Sequence, residues 1–326
     1  MPGPNTFSRR REHPYQAKSL TDLPVELRQL AERSLGLDGQ VNLIFVVPPQ
    51  VFPGSSWGGP RYVPEQALLF TPLGVLHVQS TAAPRQAGQA TYLHGAELVY
   101  ARLSLLLLYG RLELAGLVNG VLSRVIVEYN TVGHDLLQPG LLRFLRLAWG
   151  PAQAQENDND TETLLCRLGG RSFKFMNGLR YYALQPDEHL LGYVFQPRIV
   201  RRYWRVFHRQ IAPMTLLALT ENTLIVIEEE QIGRAPLGWH FTFCPRICVS
   251  GIEAKPNKEW QDLYVHLARG PVGADRRMTL DNETTLAWRD LSTRHGHRWT
   301  GSEVGSAELE QDTPGTNRTR GISADG

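Results

Sequence analysis

The sequence predicts a mainly β fold with α-helices, in which one β-rich unit of about 125 residues is used twice and closed each time by a C-terminal helix. Two observations carry this. Pro213-Met-Thr-Leu-Leu-Ala-Leu-Thr-Glu-Asn-Thr-Leu-Ile-Val-Ile227 is a pair of short apolar runs around a polar corner, Thr220-Glu221-Asn222-Thr223. The stretch Pro64-Glu-Gln-Ala-Leu-Leu-Phe-Thr-Pro-Leu-Gly-Val-Leu-His-Val78 has the same pattern at an offset of 149, which takes Pro64 to Pro213, Leu68 to Leu217 and Thr71 to Thr220. At that offset Leu35 meets Leu184, Asp38 meets Asp187, Pro48 meets Pro197 and Val51 meets Val200. Further along, Tyr92 meets Phe241, Leu98 meets Ile247, Tyr100 meets Val249 and Leu103 meets Ile252.

Each element can be read in order. Residues 1–18 form a basic arm without apolar period, expected to be disordered. The first unit, 19–150, opens with a helix that Asp22 can cap, with Pro24 in its first turn and Leu23, Leu27, Leu30 and Leu35 at helical intervals. Val41–Val47 reads as a buried strand stopped by Pro48-Pro49, and Val51–Pro64 as a Gly/Pro/Ser loop. The paired runs follow, with Gly74 suited to a positive φ at their corner. Thr91–Leu103, Leu105–Leu114 and Arg124–Glu128 read as strands, with turns near Gly110 and Gly120. Leu136–Trp149 reads as a packed helix that Pro139-Gly140 can open. Residues 151–168 are polar and acidic at their start, as in a domain linker. Asp158 and Asp160 there lack the glycine and closing glutamate of a calcium loop. The second unit, 169–297, ends in strands at Asp262–Leu267 and Arg276–Leu280 and a helix capped at Asp281 or Asn282. A disordered tail is expected over 298–326.

Composition narrows the function classes. A net charge of +2 argues against general nucleic-acid binding, so any basic function is local. Cys166, Cys244 and Cys248 suggest no disulfide framework, and the last two read as inert thiols. The N-terminal charges precede no apolar core, and the run Leu103–Tyr109 is far short of the roughly 18 residues of a membrane span. The expectation is a cytoplasmic protein, with peripheral membrane contact as the variant to test, and no cofactor or metal. The sequons at Asn159, Asn282 and Asn317 read as chance.

Leu217-Ala-Leu-Thr-Glu-Asn-Thr-Leu-Ile-Val-Ile227 and its earlier twin resemble the Leu-x-Leu-Thr-Asp-x-x-Leu-Ile-Val hairpin of the pleckstrin-homology-like (PH-like) superfold, in the form of GRAM and bacterial PH domains. A helix and Pro186-Asp187-Glu188 precede the second hairpin, as in those families. The first copy departs from the pattern, with Pro72 and Gly74 in the corner and Gly39 where the second has Glu188. The resemblance covers most of 21–150 and 170–295 and implies two tandem split β-barrels, each closed by a helix.

The most distinctive local stretch is Arg198-Ile-Val-Arg-Arg-Tyr-Trp-Arg-Val-Phe-His-Arg209, with no acid between Glu188 and Glu221. The resemblance places it between the first strand and the repeated hairpin, where PH domains that bind inositol phosphates carry basic residues. Arginine offers forked donors to phosphate, and aromatic rings suit a membrane interface. The candidate contact is Arg198, Arg201, Arg202, Tyr203, Trp204, Arg205 and Arg209, with Arg9-Arg10-Arg11 as a second basic contact. The plainer reading is a solvated strand face displaying Arg201, Arg205 and Arg209, or an arginine surface paired with the acidic linker. The first copy offers only Arg61 over the matched span. Glycine-rich phosphate loops, nucleophile elbows and zinc-protease signatures are absent, and His134-Asp135 reads as a cap. The expected role is a non-catalytic binding or scaffolding module meeting an anionic membrane surface. The alternatives are a protein–protein assembly subunit and, third, an enzyme with an interdomain site. No specific nucleic acid is expected.

Overall fold

The computed structural model describes residues 12–35, 40–52, 60–81, 87–150, 160–185, 188–203, 207–232, 235–257, 259–269 and 272–299. The fold is mainly β with α. The first half runs β1 (Tyr15–Ala17), α1 (Val25–Leu35), β2 (Leu43–Val47), β3 (Gln50–Phe52), β4 (Arg61–Val63), β5 (Gln66–Phe70), β6 (Gly74–Gln79) and β7 (Gln89–His94). It continues with β8 (Leu98–Leu106), β9 (Tyr109–Val118), β10 (Val121–Asn130) and α2 (His134–Trp149). The second half has α3 (Thr161–Arg171), α4 (Phe173–Asn177) running into a π-helical turn at Gly178–Ala183, then β11 (Leu190–Gln196), β12 (Ile199–Tyr203), β13 (Phe207–Ala212), β14 (Thr215–Thr220) and β15 (Thr223–Ile232). It closes with β16 (Ala235–Pro245), β17 (Val249–Asn257), β18 (Trp260–Arg269), β19 (Val272–Leu280) and α5 (Asn282–Arg294). Among the described residues no helix is long and apolar enough to cross a membrane.

The sheets join the halves. One runs β1-β2-β5-β6-β7, another β17-β18-β19, and the largest runs β10-β9-β8-β16-β15-β14-β11. Among the described residues none closes on itself. In the largest sheet β8 of the first half pairs with β16 of the second, from Ala101 opposite Phe243 to Leu106 opposite Gly238. A Cβ on Gly238 would lie 1.9 Å from the Leu105 carbonyl oxygen, so this strand crossing requires glycine.

The repeated apolar runs are continuous because both of their faces are buried. Leu68 and Phe70 of β5 face a large central core that also takes Leu216 and Ala218 of β14, Ile225 and Ile227 of β15, and Leu141, Phe144 and Leu145 of α2. The alternate residues Ala67 and Leu69 face Leu27 and Ala31 of α1. Leu217 and Leu219 face Ile252, Leu263, Val265 and Trp288. Strand side chains alternate between faces, so only an unbroken apolar run fills both. At both corners the same threonine closes the turn. The Thr71 hydroxyl accepts the Gly74 amide at 3.0 Å, and the Thr220 hydroxyl accepts the Thr223 amide at 2.9 Å.

The repeat is offset by 149 only as far as β6 and β15, where Phe70 opposes Val75 as Leu219 opposes Leu224. From β7 and β16 onward it is offset by 151: Gly74 opposes His94, whereas Thr223 opposes Pro245. Irregularities at Leu98/Tyr100 and at Val249/Gly251 keep the new offset. Tyr92 therefore corresponds to Phe243 rather than Phe241, Leu98 to Val249 rather than Ile247, and the pairs built on Tyr100 and Leu103 shift likewise. A shift of two residues keeps each side chain on its face, which is why apolar character matched despite the wrong register.

Several local expectations are corrected. Gly74 does not have a positive φ among the described residues. A Cβ there would lie 2.5 Å from the Leu93 carbonyl oxygen and 2.6 Å from the Tyr92 hydroxyl, so close approach selects the glycine. The expected strand Thr91–Leu103 is broken by a 3-10 turn at Gly95–Glu97, and Gly110 lies inside β9. The turn there is at Leu107, with φ 52, while Asn119-Gly120 makes the next one with φ 52 and 77. The Val51–Pro64 loop contributes β3 and β4 at its flanks, with 53–59 outside the described residues. Asp22 accepts from the amides of Lys18 and Ser19 and so holds the 3-10 turn before α1. Helix α2 starts at His134 and holds Pro139 inside it. Asp160 caps α3, accepting the Glu162 amide at 3.2 Å, so helix occupies the second part of the expected 151–168 linker; 151–159 lie outside the described residues. Asp281 caps α5, accepting the Thr284 amide at 2.6 Å, and Asn282 is the first helical residue. Arg298 and Trp299, expected in the tail, are tied to β17: Trp299 bridges Ile252, and the Ile252 amide donates to the Arg298 carbonyl at 3.0 Å. Residues 1–11 and 300–326, with Arg9-Arg10-Arg11, lie outside the described residues.

Candidate functional site

The strand pairings gather several features at one end of the seven-stranded sheet. Asn130 opposes Tyr109, Leu106 opposes Tyr109, Ile232 opposes Ala235, and Gln196 opposes Thr215. The β8–β9 turn, the start of α2, the β15–β16 turn and the connection from β11 to β14 therefore share that end. The connection is a hairpin. Its ladder pairs Val200 with Gln210, Arg201 with Arg209, Arg202 with His208 and Tyr203 with Phe207. The basic stretch is thus two strands rather than one, and Arg201 meets Arg209 by pairing across the hairpin. Trp204 and Arg205 lie outside the described residues.

The arginines have unequal partners. Arg198, just before β12, reaches a carboxylate oxygen of Glu229 at 3.4 Å. Glu229 is buried and also accepts from Lys174 of α4. Arg201 lies 3.6 Å from exposed Glu259, a surface pair of little strength. Arg209 is exposed and has no ion pair among the described residues. In the first half Arg61 of β4 is held differently: it meets buried Glu128 at 2.6 Å, which also accepts the Tyr109 hydroxyl, and its guanidinium lies 5.7 Å from the Phe52 ring centre. The Glu128 carboxylate holds the Arg61 guanidinium above its ordinary value. The two hairpins have diverged in charge: one ties its arginine to a buried carboxylate, the other holds Arg201 against exposed Glu259 and leaves Arg209 exposed.

Sequence reasoning missed a cleft of about 560 Å³ between the halves at the same end. Its walls come from the β8–β9 turn (Leu105, Leu107), the start of α2 (His134, Asp135), α4 and its π-helical turn (Lys174, Gly178, Tyr182), and β16 (Trp239, Phe241). Rings line it in series: His134 stacks on Tyr182 at 5.7 Å, Tyr182 tilts against Phe241 at 6.0 Å, and Phe241 against Trp239 at 6.1 Å. The Lys174 amine lies 4.4 Å from the Trp239 ring centre. His134 is the first residue of α2, not its cap, which is Gly133. Its two ring nitrogens are buried and have no hydrogen-bond partner among the described residues. Burial lowers its pKa, against the opposing pull of Asp135, so the ring is neutral near pH 7. These residues lie in four separate stretches, and no local motif announces them.

No protein-family model matches the chain, and no curated protein matches it at a significant level.

Proposed function

We propose that the chain is a non-catalytic binding module, built from two fused PH-like units, that contacts an anionic surface through the β12–β13 hairpin. The observation that carries the reading is the direct opposition of Arg201 and Arg209 across that hairpin, with Arg209 exposed. Like charges directly opposite each other repel, and a phosphate or anionic headgroup between them removes the repulsion. Each basic residue near an anionic leaflet contributes about 1 kcal/mol, and a cluster adds to that. The repeated order of four strands with an inserted hairpin, three further strands and a helix supports the PH-like reading, as does the place of the basic hairpin between β11 and β14. In this reading the protein is cytoplasmic and peripheral to the membrane.

Leu107 and Leu108 favour a second reading. They stand 73% and 70% exposed on a turn at the same end of the sheet, where a protein partner could cover them. Vesicle flotation separates the two. The anionic-surface reading expects binding to anionic but not neutral vesicles, weakened by salt. Folded protein that floats with neither leaves a protein partner as the better account.

A further inference from the structure

We infer that a small cavity between strands β8–β10 and the β18–β19 hairpin is a binding site for a tetrahedral oxyanion of the size of phosphate or sulfate. Its volume is about 150 Å³, the space of about five water molecules, which suits an ion better than an organic ligand of ordinary size. On one side it is lined by Arg102, Glu113, Arg124 and Thr242, and on the other by Asp275 and Arg276 of β19. Arg102 opposes Thr242 on one neighbouring strand and Glu113 on the other, so the three project from the same face of the large sheet.

Unpartnered donors point to the chemistry. Thr242 is 2% exposed, and its hydroxyl has no hydrogen-bond partner among the described residues. The Nε atoms of Arg102 and Arg276 are buried and unpartnered in the same way. Buried polar groups are nearly always satisfied, and a strand position whose hydroxyl bonds nothing suits valine as well as threonine. All three groups can donate. A tetrahedral oxyanion presents acceptor oxygens to several donors at once, and forked guanidinium groups match its geometry.

The charges favour an anion although two carboxylates line the cavity. Buried Glu113 is already engaged: it accepts the Tyr100 hydroxyl at 2.6 Å and Arg111 at 3.0 Å, with Arg124 at 3.9 Å. Asp275 is exposed and lies 2.9 Å from Nδ1 of His266. Arg276 pairs with Glu228. Half-buried Arg102 makes no ion pair among the described residues, because the carboxylates that attract it, Glu228 and Glu113, are held by other arginines. Burial, and then the charge of Arg276, hold its guanidinium below its ordinary value, yet arginine stays protonated. A cation partly removed from water without a counter-ion is relieved by an anion beside it.

The test is isothermal titration calorimetry of the full chain with inorganic phosphate, at constant ionic strength in a chloride buffer. Saturable one-to-one binding is expected, with sulfate competing, and the melting temperature should rise as phosphate fills the site. Thr242→Val keeps the shape and removes the hydroxyl. It should weaken phosphate several-fold and leave the melting temperature without phosphate unchanged or higher, since no bond of that hydroxyl is lost. Arg102→Gln should weaken phosphate at least about tenfold, and Thr242→Val serves if that variant does not fold. No saturable binding by the folded wild type, or affinity unchanged in both variants, would overturn the inference. Arg201→Glu/Arg209→Glu should leave phosphate binding intact, so the site stands apart from the anionic-surface reading; loss of binding there would place the phosphate on the hairpin and overturn it.

Discussion

Arg201 and Arg209 are partners across the β12–β13 ladder, two cations held side by side on one hairpin. The corresponding hairpin of the first half carries Arg61, which spends its charge on Glu128. The same topological position thus holds an ion pair to a buried carboxylate in one half and, in the other, a weak surface pair between Arg201 and Glu259 beside exposed Arg209. The anionic-surface proposal rests on that asymmetry.

Glu229 ties this end of the sheet together by accepting from both Lys174 and Arg198. Glu229→Gln removes the charge both partners use. The two cations are partly exposed, so water offsets part of the loss, which stays below the cost of breaking a fully buried pair. A destabilisation of about 2 kcal/mol is expected, read from the urea midpoint at constant slope. An unchanged midpoint would show that the carboxylate contributes nothing.

Gly74→Ala should destabilise the chain by about 1–3 kcal/mol, because its Cβ meets backbone and a tyrosine held by its own hydrogen bond to Thr71. Thermal unfolding checks this. A positive-φ account of the same glycine would let asparagine rescue the position, whereas close approach makes asparagine at least as harmful as alanine.

His77 is buried, with its ring nitrogen Nε2 3.1 Å from Gln66 Oε1, and burial pushes its pKa down to about 4. The unfolded imidazole titrates near 6.5. Above that value neither state is protonated and the stability is fully present. Between about 6.5 and 4 the unfolded state binds the extra proton, so stability falls with pH by up to about 3 kcal/mol. His297, also lowered to about 4, acts in the same direction. Denaturant titrations at pH 7.5 and 5 should show the loss, and His77→Gln should reduce the difference between them. An equal difference in the variant would contradict the assignment.

Cys244 and Cys248 are buried, and burial raises both thiols, Cys244 to about 12. Cys166 on α3 is exposed. A thiol-reactive disulfide reagent should therefore label one cysteine per native chain and all three after denaturation. Fast labelling of a second thiol in the native protein would show an opening of the β16 region.

The fold was legible where burial writes a period into the chain. Leu216–Leu219 and Leu224–Ile227 are apolar at every position because each face of β14 and β15 meets its own core. The matching strand order of the two halves left the same apolar pattern in both, yet the two extra residues of the β15–β16 hairpin relative to β6–β7 were not legible, since strand period hides even shifts. Pro139 reads as a helix opener although it sits inside α2, because the preceding turn from His134 has little apolar period. The basic stretch was visible as composition, but its division into β12 and β13 and the meeting of Arg201 with Arg209 were not. The cleft was illegible altogether. Its walls come from residues as far apart as Leu105 and Phe241, joined only when β8 pairs with β16.

The most direct test is flotation of the wild type and an Arg201→Glu/Arg209→Glu variant with neutral and anionic vesicles at low and moderate salt. The anionic-surface proposal expects the wild type to float with anionic vesicles only, less so as salt rises, and the folded variant to stay behind. Equal flotation of the two proteins, or none by the folded wild type, would contradict it.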